Sequence, residues 1–313
     1  MKGYSTEVID ILVKARRDSS NKQYEYQLKL WAKFCSENTV NMFTATVGQG
    51  LLFLQQLWAK GLSYSTINSA RSALSLILHC SGSSFGEHPD VCKFMKGIAN
   101  LNPPKHRYVD IWDPEVVLKT LRSWSPAQSL SFHMLSLKTV MLVLLVTGKR
   151  PQIITKLHTD NMSITKNSYK FILEDTDLKE GRRGYKPDRV ELRKYPADKR
   201  ICIYHYMTAY LHRSLEFRGK EKLVFITSVK PFKKVSQDTV SRWIKSVLNH
   251  SGIDTTVFTA GSVRSASTSK AKRQGAPVEE VLRAGGWSRV TTFTEFYDRP
   301  VRTPGSFAEK VLQ

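Results

Sequence analysis

Hydrophobic residues in the first hundred positions recur at the spacing of amphipathic helices. Between residues 21 and 37, for example, Tyr24, Leu28, Trp31 and Phe34 follow one another at intervals of three or four, which places them on one face of a helix. The same periodicity predicts helices over residues 6–17, 21–37, 50–61, 64–82 and 90–100. Because the loops between them are short, we expect these helices to pack as one compact bundle.

The helical pattern ends at two adjacent prolines. Pro103 and Pro104 cannot continue a helix, and the segment around them is basic. We therefore interpret residues 101–112 as a linker. It divides the chain into a helical domain, residues 1–100, and a second domain, residues 113–313.

The second part of the chain mixes two periodicities. An apolar run at residues 136–147 predicts a buried helix that stops at Gly148. Residues 169–175 and 188–195 are of β type and flank a polar, glycine-bearing turn, which predicts an antiparallel hairpin. Further helices are predicted after Cys202 and Ser236, over residues 263–274, from Pro277, and around Tyr297. The predicted fold is mainly α, with a small antiparallel β-sheet in the second domain.

The charge of the chain indicates what it binds. Its 313 residues carry a formal net charge of +21. Residues 1–104 contain 11 Lys and Arg against 7 Asp and Glu, whereas residues 105–313 contain 37 against 20. This surplus favours a polyanion such as nucleic acid, although a generally basic surface would give the same composition. We expect phosphates to face mainly the second part.

Other features of the composition exclude several classes of protein. The four cysteines lie too far apart for a metal site, no histidine pair has metal-ligand spacing, and the chain is too long to need a disulfide framework. The longest apolar run, residues 140–146, is too short to span a bilayer, and the N-terminal stretch is amphipathic, unlike a secretory signal. We expect an intracellular protein with reduced thiols, no metal, no cofactor and no membrane segment.

One candidate for chemistry is Tyr297, in the stretch GGWSRVTTFTEFYDRP. Phe293 and Phe296 precede it, so the tyrosine alone fits a core aromatic as well as a reactive hydroxyl. Breaking a phosphodiester without a metal requires a nucleophile, cationic donors for the non-bridging oxygens, and an acid for the leaving oxygen. Arginine suits the second task because its planar fork binds two phosphate oxygens at once. Arg150 and Arg264 both lie at predicted helix starts, which are themselves anion sites.

Four short stretches then occur in an informative order: TGKR, SVRSASTSKAKRQG, AGGWS and TTFTEFYDRP. Together they resemble the tyrosine recombinase, or phage integrase, family. With SYSTINSARSALS in the first part, they are most similar to the recombinases of DIRS-type retrotransposons. The resemblance extends from about residue 24 to residue 300. It implies a helical core-binding domain followed by an α+β catalytic domain.

The resemblance implies a role for each matching residue. Arg150 and Arg264 would hold the scissile phosphate, and Lys179, in the hairpin, would protonate the 5′-hydroxyl leaving group. Trp287 would donate its indole N–H to the phosphate. Tyr297 would be the nucleophile and would form a 3′-phosphotyrosyl link, which stores the bond energy so that rejoining needs no ATP.

Alternatives remain at these positions. Lys170 and Lys186 also lie near the hairpin that contains Lys179. Trp287 fits a packing residue at a helix junction, and each arginine fits a surface or salt-bridging residue. Tyr297 fits a core aromatic if the other four groups are not beside it.

One catalytic position departs from the family pattern. The family has His-x-x-Arg before its second arginine, and this chain has Gly261 where the histidine, which helps to move the tyrosine proton, is expected. A softer departure is Ile153, at a position where many members have an acidic residue.

The resemblance also implies partners. The two domains would clamp double-stranded DNA, and a homotetramer would act on two DNAs, with residues 301–313 docking on a neighbouring protomer. A recombinase of a eukaryotic retroelement would act in the nucleus. The candidates for contacts with the DNA backbone are Arg71, Lys149, Arg182, Arg183, Lys270, Lys272 and Arg273.

Two other functions fit the same features. One is a catalytically impaired, recombinase-derived DNA-binding protein, with Gly261 as the mark of the lost activity. The other is a monomeric type IB topoisomerase, which shares the chemistry but not the exchange of tails. A covalent protein–DNA adduct separates the enzymes from the binding protein, and the oligomeric state on DNA separates the two enzymes.

Overall fold

The computed structural model describes residues 5–16, 18–80, 82–103, 107–173 and 189–301. The chain divides into two compact units, Met1–Lys105 and His106–Gln313. The division falls inside the predicted linker, but Ile111 and Trp112 are buried in the core of the second unit. The packed body of that unit therefore includes two residues that the sequence pattern assigned to the linker.

The first unit is a small helical bundle. Its core contains Trp31, Phe34 and Phe53, whose ring centroids lie 5.2–5.5 Å apart. The apolar face that periodicity predicts for the second helix is thus the buried one. The elements of the unit are α1 Thr6–Lys14, α2 Asp18–Glu37, α3 Val47–Ala59, α4 Tyr64–Leu74, β1 His79–Cys80, β2 Ser83–Ser84 and α5 Pro89–Leu101.

Helix α4 ends earlier than the sequence pattern predicts. Its N-cap is Ser63, whose hydroxyl accepts a hydrogen bond from Thr66 N–H, but the helix stops at Leu74 instead of running to residue 82. Ser75 Oγ accepts a hydrogen bond of 2.8 Å from Gly86 N–H, which brings the segment after the β1–β2 ladder against the helix end. This contact joins residues that are distant in sequence, so periodicity does not reveal it.

The second unit combines helices with a three-stranded sheet. Helix α7, Phe132–Thr147, is apolar all round and occupies the centre of the core, where Val140, Leu142 and Leu144 are buried. Gly148 ends it in the left-handed conformation, with a φ of 61°, as the sequence predicts. The elements are α6 Pro114–Ser123, α7 Phe132–Thr147, β3 Met162–Ile164, β4 Ser168–Ile172, β5 Arg189–Arg193, α8 Ile203–Ser214, α9 Gln237–His250, α10 Ser262–Arg273, α11 Val278–Gly285 and α12 Val290–Phe296.

The sheet of the second unit is antiparallel, in the order β3–β4–β5. Tyr169 pairs with Leu192 and Phe171 with Val190, and all four side chains are buried. The alternation that predicts the hairpin therefore places its apolar side chains in the core. Strand β3 has no clear sequence pattern, because it is three residues long and two of its side chains are exposed.

The two ends of the described second unit are bonded to each other. Ile111 N–H donates a hydrogen bond of 2.9 Å to Pro300 O, and Ile111 and Val301 form a parallel β-bridge. Both bridge residues are buried. The segment that enters the unit thus lies beside the segment that follows Tyr297.

The predicted fold, mainly α with a small antiparallel sheet in the second part, is confirmed. A further local prediction is wrong, because Tyr297 is the C-cap that follows α12 and does not lie within the helix. Among the helices of the described residues, none combines the length and the apolar character needed to cross a bilayer.

Candidate active site

Arg264 is held in the interior of the second unit by helix α10. It lies in the first turn of the helix, and only 2% of its surface is exposed. Its Nη1 donates a hydrogen bond of 3.2 Å to Gly148 O. Because Gly148 directly follows α7, this contact fixes the guanidinium beside the turn at residues 147–150.

Three of the five predicted catalytic side chains meet in one cluster. The Cζ atom of Arg264 lies 3.9 Å from the centroid of the Trp287 ring and 5.0 Å from the centroid of the Tyr297 ring. The centroids of the two aromatic rings are 4.6 Å apart. A guanidinium over aromatic faces is an attractive arrangement that also orients the planar fork. The fold therefore brings together residues from three separate stretches of sequence.

The double glycine before Trp287 is required by the packing of the indole. A Cβ atom on Gly285 would lie 2.1 Å from Cζ3 of Trp287, and Gly286 has a φ of 73°, which side chains rarely tolerate. The tryptophan is 8% exposed, and its Nε1–H is buried with no hydrogen-bond partner among the described residues. Buried N–H groups are nearly always hydrogen-bonded, so this donor is an exception among the described residues.

Lys149 and Arg150 follow α7 on one turn. Arg150 is half-buried and is the N-cap of the 3-10 turn Pro151–Thr155. Lys149, predicted from the sequence to contact the DNA backbone, is only 7% exposed, and its Nζ lies 3.7 Å from where a Cβ atom on Gly286 would be. Lys149 is therefore part of the interior beside the tryptophan loop and does not belong to a solvated face.

The main chain at Tyr297 is anchored on α10. Its carbonyl oxygen accepts hydrogen bonds from Ser265 Oγ and, at 2.9 Å, from Ser269 Oγ. Sequence reasoning missed both serines, since polar residues on a helix ordinarily indicate its solvent face. The available sign was their spacing of four residues, which places them together on one face.

Position 261, where the family has histidine, has room for a side chain. Gly261 is exposed and precedes α10 with a φ of −67°, which any residue can adopt. A Cβ atom there would meet nothing closer than Thr259 Oγ1, at 3.8 Å. The neighbouring Ser262 is fully buried and accepts a hydrogen bond of 2.9 Å from Trp112 Nε1. The fold therefore does not require glycine at position 261.

Two predicted DNA-backbone lysines on α10 have acidic partners within the protein. Lys270 Nζ lies 3.2 Å from Asp113 Oδ1 and 3.3 Å from Glu115 Oε2, and Lys272 forms an ion pair with Asp298. Burial opposes ionisation of the Asp113 carboxyl, but hydrogen bonds from Glu115 N–H and from Lys270 lower its pKa. These lysines therefore stabilise the surroundings of the site in addition to contributing charge.

The other DNA-backbone candidates have different surroundings. Arg71, in the first unit, is half-buried and donates from Nη1 to Gly86 O at 3.2 Å, whereas Arg273 is exposed at the end of α10. The backbone candidates Arg182 and Arg183 lie outside the described residues, as does Lys179, the predicted general acid, and all three stay predictions from the sequence.

Solved structures share this fold at low sequence identity. The XerH site-specific recombinase bound to its difH substrate, in a pre-cleavage complex, is 13% identical with a TM-score of 0.54, over 86% of this chain and 69% of that one. A lambda integrase dimer bound to a COC′ core site is 15% identical with a TM-score of 0.55, over 95% and 77%. The Tn1549 transposon integrase in complex with circular intermediate DNA is 13% identical with a TM-score of 0.52, over 91% and 98%. At these identities the likeness is one of fold.

A family model accounts for most of the second unit. No curated protein matches the chain significantly. The phage integrase family model matches residues 117–301, a span that contains Arg150, Arg264, Trp287 and Tyr297. The matched span is more than half of the chain. The protein therefore belongs to the phage integrase family.

Proposed function

We propose that the protein is a site-specific DNA recombinase that cuts and rejoins DNA through a covalent link between Tyr297 and a 3′ phosphate. The observation that carries the proposal is the cluster in which Arg264 lies over the rings of Trp287 and Tyr297. A buried cationic fork, a buried indole N–H and a phenol are groups that suit an attack on a phosphodiester.

Each group has a distinct task in this reaction. The phenol oxygen of Tyr297 attacks phosphorus, the bond from phosphorus to the 5′ oxygen breaks, and the phenol proton passes to a base or to water. Arg150 and Arg264 hold the non-bridging oxygens as negative charge develops, and the Trp287 N–H is a further donor. Lys179 protonates the departing 5′ oxygen. Rejoining reverses these steps, because a 5′-hydroxyl attacks the phosphotyrosine and releases Tyr297.

The substrate in this proposal is double-stranded DNA, and the positive charge of the second part of the chain suits it. Three solved structures of the same fold are complexes with DNA, which supports the assignment. Four copies acting on two duplexes would complete strand exchange, with residues 301–313 docking on a neighbouring copy. The motifs shared with DIRS-type recombinases support a retroelement origin, and such an enzyme would act in the host nucleus.

One observation favours a second function, a recombinase-derived DNA-binding protein with impaired catalysis. Gly261 has no side chain that can move the tyrosine proton. Its backbone and surroundings accept a side chain, so folding does not explain the glycine. Glycine in place of the family histidine therefore removes a group for proton transfer and is not explained by a need of the fold.

Formation of a covalent adduct on a nicked duplex distinguishes the two functions. The short cleaved strand diffuses away from such a substrate, so the protein–DNA link accumulates. We expect the wild type to form the adduct. Tyr297→Phe should form none while binding DNA within about twofold of the wild type, since it removes the attacking oxygen and little packing.

Tyr204→Phe is a matched control for this experiment. It removes the hydroxyl of a tyrosine on α8 that donates to Thr165 O at 3.1 Å, outside the cluster, and it should leave the adduct unchanged. A wild type that binds DNA and forms no adduct would support the binding function. Adducts formed by Tyr297→Phe would identify a different nucleophile, and a monomer active on DNA would indicate a topoisomerase.

A further inference from the structure

One face of α10 carries three side chains that contact the chain around Tyr297. Ser265 and Ser269 both donate to the carbonyl oxygen of Tyr297. Close to one turn further on, Lys272 forms its ion pair with Asp298. Residues three and four apart share a helix face, so these side chains form a continuous strip. We call Ser265, Ser269 and Lys272 the α10 strip.

The α10 strip holds a segment that extends beyond the end of α12. The last main-chain bonds to that helix are made by Tyr297 N–H and Asp298 N–H, which both donate to Phe293 O at 2.9 Å. Ser269 Oγ, in addition to donating to the Tyr297 carbonyl, accepts a hydrogen bond of 3.0 Å from Arg299 N–H. One hydroxyl thus bonds the main chain on both sides of Asp298.

The two hydroxyls lie where water does not replace them easily. Ser265 is 2% exposed and Ser269 is fully buried. A buried hydroxyl that loses its partner is left unsatisfied, so the contact between these serines and the carbonyl of Tyr297 is favoured. Arg264 directly precedes Ser265 on α10. The guanidinium and the main chain of the tyrosine are therefore positioned by the same rigid helix.

We propose that Ser265 and Ser269 are positioning residues for the nucleophile Tyr297. They set the distance between the phenol oxygen and the phosphate that Arg264 binds, and the ion pair of Lys272 restrains the same segment. The inference rests on the proposed function. Because a misplacement of about 1 Å can slow a reaction by roughly 10²-fold, loss of these anchors should lower the cleavage rate and leave DNA affinity unchanged.

The test compares variants of the full-length chain. Ser265→Ala, Ser269→Ala and the double variant remove the anchors. Ser267→Ala is the matched control, because it removes a hydroxyl of the same helix that donates to Arg264 O within the helix. Four quantities are measured: single-turnover cleavage of a nicked duplex at saturating DNA, DNA affinity, Tm, and hydrogen–deuterium exchange of residues 294–301.

We expect the double variant to cleave at least about tenfold more slowly than the wild type, with DNA affinity within about twofold. Exchange in residues 294–301 should accelerate in the same variant, since Arg299 N–H loses its acceptor. Ser267→Ala should match the wild type in cleavage and in exchange. Ser269→Thr keeps the hydroxyl and should cleave faster than Ser269→Ala.

Wild-type cleavage together with wild-type exchange in the double variant would overturn the proposal. If the double variant does not fold, Asp298→Asn replaces it, because it weakens the partly exposed ion pair with Lys272 and should slow cleavage and accelerate exchange. Wild-type behaviour of both readouts in that variant would also overturn the proposal. A wild type without any adduct contradicts the proposed function alone, and the exchange data then decide whether the serines position the segment.

Discussion

A single guanidinium organises the aromatic residues of the site. The guanidinium of Arg264 lies against the rings of Trp287 and Tyr297, and one of its N–H groups donates to Gly148 O. Lysine keeps the positive charge but lacks the planar guanidinium and its paired N–H donors. Arg264→Lys should therefore reduce the cleavage rate by about 10²–10³-fold, as expected for the loss of one preorganised donor. Single-turnover cleavage of a nicked duplex measures the effect, and a wild-type rate would make the arginine a packing residue.

Restoring the family histidine should speed up catalysis. General acid–base assistance is typically worth about 10²–10⁴ in rate, so Gly261→His should raise cleavage at neutral pH by at least about tenfold. The exposed position and the backbone φ of −67° accommodate the side chain without strain. Single-turnover cleavage over a range of pH, with DNA affinity measured in parallel, tests the prediction.

Gly261→Gln is the control for this variant, because glutamine is of similar length and has no basic nitrogen. It should cleave no faster than the wild type. If Gly261→His is slower than the wild type, a group already present moves the proton.

The residues of the site that could be predicted from the sequence are those in the recognised motifs. Arg264, Trp287 and Tyr297 were predicted in this way, and the structure places them in contact. Ser265 and Ser269 could not be predicted, because a serine that anchors a distant carbonyl looks the same in sequence as one that faces water. The ion pairs of the α10 lysines could not be predicted either, because their carboxylate partners come from other parts of the chain.

At the scale of elements, the apolar helix α7 contains a buried lysine. Lys138 is fully buried, and its Nζ donates hydrogen bonds of 2.6 Å each to Leu121 O and Trp124 O, at the end of α6. The same nitrogen lies 3.7 Å from the centroid of the Tyr206 ring. Burial lowers the pKa of Lys138 to about 7. The amine therefore caps the end of α6, where the Tyr206 hydroxyl also donates to Trp124 O at 3.4 Å.

The stability of the second unit should depend on pH through this lysine. Folding lowers its pKa from an unfolded value near ~10.4, so its stabilising contribution is complete only above that value and is lost as the pH falls through about 7. Between about pH 7 and pH 8.5 the free energy of unfolding should rise by on the order of 1–2 kcal/mol from this group. Urea unfolding of the wild type and of Lys138→Met measures the difference, and identical pH slopes in both proteins would contradict it.

Periodicity predicted most helices but not all of their ends. The stop of α7 was predicted because Gly148 marks it locally. The end of α4 was not, because Ser75 and Gly86 form it through a tertiary hydrogen bond. Tyr297 lies just outside α12, where its carbonyl bonds to α10 serines and not to its own helix. Local sequence signals therefore predict which segments are helical, whereas tertiary contacts determine the residues at which α4 and α12 end.

At the scale of the whole molecule, the uneven charge predicts how DNA affinity responds to salt. If about six phosphates or more are neutralised, the log–log slope of affinity against salt should be roughly −5 or steeper. Arg273, exposed at the end of α10, should account for about one unit of that slope if it contacts a phosphate. Fluorescence anisotropy over a salt series with the wild type and Arg273→Ala tests both statements. An affinity nearly independent of salt would exclude DNA as the main partner.

The β-bridge between Ile111 and Val301 joins the segment that enters the second unit to the segment that follows Tyr297, so force on one segment is passed to the other. The incoming and outgoing chains are joined there by the hydrogen bond from Ile111 N–H to Pro300 O, just beyond Tyr297. Tension applied to the chain before Ile111 would consequently act on the main chain at Pro300, close to the tyrosine, as well as on the core in which Ile111 is buried. A pull on the segment after Val301 would load the same point from the other side. Mechanical force on either end would therefore be shared between the core and the main-chain segment that follows Tyr297.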